Sequence, residues 1–208
     1  MDCGLRRVHV PLRVIFLTVL QDDIHRRIRG RRQLEGERSF SLDAKYLPKS
    51  TFYSFEPFKK SYTCLLDNIE LNGLKNVKTF NVALSNVSGT STLNTSASHN
   101  GLHTLGETPK RFDDVVPVEI QTQTLDQHFY DVDRPLHFMK IDTEGWEYHV
   151  LEGGRKTLEK YKPVIQMEWV PENMQQCAVN EQELKEHMRS LGYVEVSTRH
   201  EEKLFKVL

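Results

Sequence analysis

The stretch Leu136-His-Phe-Met-Lys-Ile-Asp-Thr-Glu-Gly-Trp-Glu147 restricts the folds open to this chain more than any other segment. An apolar run of strand length stops abruptly at three carboxylates, Asp142, Glu144 and Glu147, with Gly145 among them. A helical pattern follows, with Val150, Leu151, Leu158 and Tyr161 on one face, and then Val164–Trp169 forms another apolar run. Buried strands are apolar, and charges mark where the chain leaves a sheet. In open α/β sheets ligands bind at that exit, outside the carboxyl ends of the strands. The densest acidic cluster therefore stands where such a fold keeps its chemistry.

The remaining patterns extend this unit. Thr51–Phe55 is rich in β-formers and ends at Glu56-Pro57, a strand followed by a turn. The next helix places Phe58, Tyr62, Leu65, Leu66 and Ile69 on one stripe and stops at Asn72-Gly73. Val77–Leu84 reads as a strand, a polar edge-like strand lies around Thr90–Asn94, and Val116–Thr122 alternates as a half-exposed strand. Residues 95–115 form a long loop, of the kind that serves as a lid or substrate loop. Leu125–Tyr130 gives a short helical turn. Glu181–Leu191 gives a helix capped by Asn180 and ended by Gly192. Tyr193–Ser197 and Lys203–Leu208 are spaced as a hairpin. The sum is an α/β chain with a mostly parallel sheet, covered on both faces and finished by an antiparallel C-terminal hairpin. Residues 39–208 make the domain. Residues 1–38, with the basic run Arg26-Arg-Ile-Arg-Gly-Arg-Arg32, read as an atypical segment, solvated or inserted.

Charge and composition exclude several classes. Lys plus Arg number 28 against 29 Asp plus Glu, which argues against a nucleic-acid binder. Cys3, Cys64 and Cys177 stand far apart without a C-x-x-C pair, so neither a disulfide framework nor a zinc site is expected, and a reducing cytoplasm is the natural setting. No run reaches the eighteen or so apolar residues of a membrane span. Val14–Leu20, preceded by Arg6, Arg7 and Arg13, imitates a leader but is short and runs into Gln21-Asp-Asp23 without a small-residue cleavage site.

Glu56 ends an early strand, where doubly wound nucleotide-binding folds place an acid that accepts hydrogen bonds from ribose hydroxyls. A carboxylate is acceptor-only and can take both donors of one diol. Asp142, at the end of a buried strand, is a candidate to accept a proton or orient a charge. Glu144 and Glu147 lie in the first turn of a helix, where acids also serve as simple caps. Trp146 reads as core packing, Gly145 as a close backbone approach. Glu168 ends the next strand and flanks the same crevice, and His103 lies in the long loop above it. None of the nine histidines has a metal partner at convincing spacing.

Phe55-Glu-Pro57, Leu65-Leu-Asp-Asn-Ile69, Leu71-Asn-Gly-Leu74, Val82-Ala-Leu-Ser85 and Thr124-Leu-Asp126 follow one another in order, ahead of Lys140-Ile-Asp-Thr-Glu-Gly-Trp-Glu147, Val150-Leu-Glu-Gly-Gly154 and Pro163-Val-Ile-Gln-Met-Glu168. Over roughly residues 51–170 this series resembles the FkbM family of S-adenosylmethionine-dependent methyltransferases. The resemblance implies a Rossmann-like, class I methyltransferase sheet with an antiparallel last strand. It implies S-adenosyl-L-methionine as cofactor, Glu56 on its ribose and Ala83 beside its adenine. Asp142 is implied near the methyl group and the acceptor, a hydroxyl of a small molecule or glycan; Glu144 is a second catalytic candidate, and Glu147, Glu168 and His103 are the substrate-side candidates. Of the D-x-G-A-N-x-G loop that ends the family's first strand only Asp2-Cys-Gly4 is present. First strand and glycine loop are therefore expected to be incomplete, with Asp2 and Gly4 the remaining cofactor contacts from that side. Two readings follow: an active O-methyltransferase, or a relative that keeps the fold but binds or scaffolds without catalysis.

Overall fold

A computed structural model describes residues 15–19, 44–45, 47–96, 103–106, 114–131 and 136–208, the first of these as backbone. Within them the chain forms ten strands and six helices. A seven-stranded sheet has the order β3-β2-β1-β7-β8-β10-β9, and a three-stranded sheet the order β4-β6-β5. In chain order the large sheet contains β1 (Ile15–Val19), β2 (Thr51–Phe55), β3 (Val77–Phe80), β7 (Phe138–Ile141), β8 (Val164–Glu168), β9 (Tyr193–Arg199) and β10 (Glu202–Val207). The small sheet contains β4 (Ala83–Leu84), β5 (Gly89–Ser96) and β6 (Val115–Gln123). The helices are α1 (Lys59–Leu71), α2 (Leu125–Phe129), α3 (Glu147–Glu152), α4 (Arg155–Tyr161), α5 (Pro171–Gln176) and α6 (Glu181–Ser190).

Strands β2 and β3 pair parallel, as do β7 and β8, and β10 runs antiparallel to both β8 and β9. The terminal hairpin expected from the sequence is present. The centre of the sheet differs from expectation. The position between β2 and β7, which the sequence reading left without a complete strand, is filled by Ile15–Val19, antiparallel to both neighbours. The apolar, β-branched run that imitates a leader is equally suited to a strand paired on both sides. Ile15 pairs with Phe55 and Val19 with Thr51. The chain therefore enters β1 at the Glu56 end of the sheet and leaves it at the opposite end. Part of the atypical 1–38 segment thus belongs to the main sheet.

Period-two alternation assigns the two faces of β2. Phe52 packs with Leu65 of α1 and with Ala44, while Phe55 joins the larger core with Met139, Ile141, Ile165 and Met167. Helices α2 to α6 supply Leu125, Phe129, Val150, Leu151, Leu158, Met174, Leu184 and Met188 to that second core. Burying one such side chain contributes roughly 1.5–3 kcal/mol.

Three local departures shape the site. Val77–Leu84 is not one strand: it breaks at Asn81, whose Nδ2 donates to the carbonyls of Glu56 (2.8 Å) and Pro57 (2.9 Å), and Ala83–Leu84 crosses to pair with β6. The helix expected behind Glu147 is two helices, divided at Gly153-Gly154. A Cβ on Gly153 would stand 2.0 Å from the Ser85 carbonyl and one on Gly154 2.4 Å from Leu125 Cδ2, so only glycines let the chain pass here. Asp126 then accepts from the backbone N–H groups of Lys156 (3.2 Å) and Thr157 (2.8 Å), capping α4 from outside its own helix. Finally, α5 was not anticipated, although Pro171 at its first position and Glu172 beside it are start signals.

Candidate functional site

Strand ends from both sheets converge on one crevice. Its lining includes Phe55, Glu56 and Pro57 from the end of β2, Ser61 from α1, Ala83 and Leu84 from β4, and Leu93 from β5. The turn after β7 contributes Asp142, Thr143, Glu144 and Trp146, and the 103–106 segment contributes His103 and Leu105. Five of the candidate residues, Glu56, Ala83, His103, Asp142 and Glu144, are thereby brought together. Glu147 and Glu168 are not among the lining side chains. Asp2 and Gly4 lie outside the described residues.

Glu56 is held by its backbone as β-structure would hold it: its N–H donates to Phe80 at 3.0 Å. The side chain is only 3% exposed. Among the described residues its carboxylate takes one donor, the Phe58 N–H at 2.8 Å. Burial with so little compensation pushes the carboxyl up to about 8, against the lowering effect of that one hydrogen bond.

Asp142 stands one residue beyond β7. Lys140, on the same face of the strand, places Nζ 3.7 Å from Asp142 Oδ2 and 2.8 Å from Glu202 Oε1. Gln166 of β8 also donates to Glu202. Glu168 lies in this neighbourhood, paired across from Glu202 in the β8–β10 ladder.

The turn that follows is built around Glu147. Its Oε1 accepts from Thr143 N (3.0 Å), Thr143 Oγ1 (2.9 Å) and Gly145 N (3.3 Å). Burial raises its pKa, and these hydrogen bonds work against that rise. Glu144 has φ of 53° and Gly145 of 97°, left-handed conformations that only the glycine adopts freely. The strain at Glu144 is held by Asn173 of α5, whose Nδ2 donates to Oε2 at 2.6 Å, and by donors to its carbonyl from Thr104 Oγ1 (3.4 Å) and Cys177 Sγ (3.6 Å). A Cβ on Gly145 would meet the Asn173 carbonyl at 2.2 Å, so α5 sits directly on the turn. Trp146 packs against the core, walls the crevice, and donates Nε1 to Ser85 Oγ at 3.2 Å.

The 103–106 segment is tied over the opening. Thr104 exchanges backbone hydrogen bonds with Asn94, and the His103 ring meets Phe58 edge-on at 4.5 Å. Cys177 beneath it has its thiol pushed up to about 11 by burial, so it remains a protonated donor. No group of three or more His, Cys, Asp and Glu side chains that could hold a metal is found among the described residues. Nor is any helix among them long and apolar enough to cross a membrane.

Sequence reasoning missed Asn81, Thr104, Thr143 and Asn173. Thr143 lies inside the acidic motif and Asn81 immediately precedes Val82-Ala-Leu-Ser85. Asn173 sits on the helix that went unread, and its signal was the proline that starts that helix.

A family model described as the methyltransferase FkbM domain matches residues 25–195. No curated protein matches. A crystal structure of a methyltransferase FkbM from Methylobacillus flagellatus KT is similar at 14% identity and a TM-score of 0.46, over 74% of this chain and 36% of that one. The chain thus spans about a third of the length of that relative.

Proposed function

Because the chain belongs to the FkbM methyltransferase family, we propose that it is an S-adenosylmethionine-dependent O-methyltransferase acting on a hydroxyl of a small molecule or glycan. The observation that carries this reading is the convergence of Glu56, Ala83 and Asp142, from three separate strand ends, on one crevice. The residues suit the cofactor. Glu56 is a buried acid with a single donor among the described residues, leaving acceptor capacity for the two hydroxyls of a ribose. Ala83 is small and buried beside it, where a flat base needs room. When bound, S-adenosylmethionine supplies an electrophilic methyl group.

The rest is asked of the chain. Asp142 stands at the end of β7 on the cofactor side, positioned to accept a proton from an acceptor hydroxyl, with Lys140 fixing its other face. Glu144, held by Asn173, orients the acceptor from the neighbouring turn position. His103 and Leu105 close over the crevice and limit water. Most of the acceleration comes from alignment, and proton transfer contributes a further factor of about 10²–10⁴.

The second reading is a relative that keeps the fold without catalysis. Incubating the chain with methyl-labelled S-adenosylmethionine and a panel of sugars, polyols and hydroxylated polyketides separates the two. The enzyme reading expects label in at least one hydroxyl compound and an Asp142→Asn rate lower by about 10²-fold or more. Binding without transfer to any acceptor favours the scaffold.

A further inference from the structure

We propose that the crevice takes a vicinal diol with release of a proton from Glu56, so that ligand binding strengthens as pH rises through neutrality. The inference rests on the cofactor reading above and adds to it the protonation state in which the site waits.

The geometry sets up the exchange. Glu56 lines the crevice, is 3% exposed, and has one donor among the described residues, Phe58 N–H at 2.8 Å. Among the described residues, the side chains lining the crevice with it include no lysine or arginine to hold it ionised. From α1 comes Ser61, from β4 Ala83, from the turn after β7 the further acids Asp142 and Glu144, and from the 103–106 segment His103. After β3, Asn81 spends its amide on the Glu56 and Pro57 carbonyls instead of on the carboxylate. Lys140, the nearby cation, is engaged by Asp142 and Glu202. The carboxyl accordingly sits up at about 8 and is mainly neutral at pH 7.

In the neutral carboxyl the oxygen that accepts from Phe58 N–H is the carbonyl oxygen and the other carries the proton as a donor, whereas the carboxylate offers acceptor lone pairs on both oxygens to the two O–H groups of a diol. On binding, the O–H bond of Glu56 breaks, its proton passes to solvent buffer, and the electron pair stays on the carboxylate, which accepts both hydroxyls. Hydrogen bonds to the charged form favour that form and repay the proton loss. The sign follows from the raised value: below about 8 each pH unit weakens binding about tenfold, and above it the dependence flattens.

Adenosine is the appropriate probe, since it carries the ribose diol and no group that titrates between pH 5 and 9. Calorimetric titration of the full chain at pH 7, in buffers of different ionisation enthalpy, is expected to report release of most of one proton per ligand bound. Affinity should rise about tenfold from pH 6 to pH 7 and level off beyond pH 8. Glu56→Gln should bind more weakly with no proton released. His103→Gln should leave the proton count unchanged, and 2′-deoxyadenosine should release less than adenosine. Adenosine binding whose heat is independent of buffer overturns this inference and leaves the cofactor reading standing. Failure of both adenosine and S-adenosylmethionine to bind at any pH overturns both.

Discussion

The two acidic sides of the crevice are constructed in opposite ways. On the β7 side, the turn 142–147 is over-determined. One carboxylate oxygen of Glu147 takes three donors, Asn173 holds Glu144, and α5 lies so close that only glycine fits at position 145. On the β2 side, Glu56 is also buried but has a single donor among the described residues. A carboxylate oxygen occupied by the fold is held in place; acceptor capacity left unused among the described residues is open to a ligand. Burial raises the pKa of both acids; at Glu147 three hydrogen bonds from its own turn oppose that rise, and at Glu56 one does.

The largest expected effect tests the constructed side. Gly145→Ala should destabilise by about 3 kcal/mol or more, because it combines a left-handed φ with a Cβ 2.2 Å from the Asn173 carbonyl. Urea unfolding measures it; a midpoint within error of the parent would show that α5 does not press on the turn as described.

A second effect, growing by about 1.4 kcal/mol for each pH unit, tests the ligand side without any ligand. The folded-state pKa of Glu56 is raised from 4.5 to about 8, so between those values the unfolded chain has lost a proton that the folded chain retains. Stability from this group is full below about 4.5 and is lost as pH climbs towards about 8. Glu56→Gln removes the titration. Relative to the parent, its melting temperature should therefore gain progressively from pH 5 to pH 8. A constant difference across that range would show that Glu56 ionises normally in the folded chain.

The acidic residue that opens each side was readable from the sequence, because Glu56 and Asp142 end apolar runs and strand exits follow from hydropathy alone. Strand Thr51–Phe55 lies at its expected boundaries for the same reason. The constructed side was less legible. That Glu147 would turn inward to hold its own loop depends on a left-handed backbone at Glu144, which an acidic residue does not advertise. That Val77–Leu84 would change sheets depends on Asn81 bonding two carbonyls twenty-five residues or so away in the chain. The direction of β1 was beyond local pattern altogether. Four apolar residues and a threonine pair as well one way as the other, and long-range pairing decides.

The central claim, that Glu56 anchors a methyl donor in this crevice, is tested most directly by equilibrium dialysis of labelled S-adenosylmethionine at pH 8.5 against the parent chain and Glu56→Ala. The account predicts saturable binding of one equivalent per chain, weakened by about tenfold or more in the variant. Absence of saturable binding, or equal affinity in the two proteins, would contradict it.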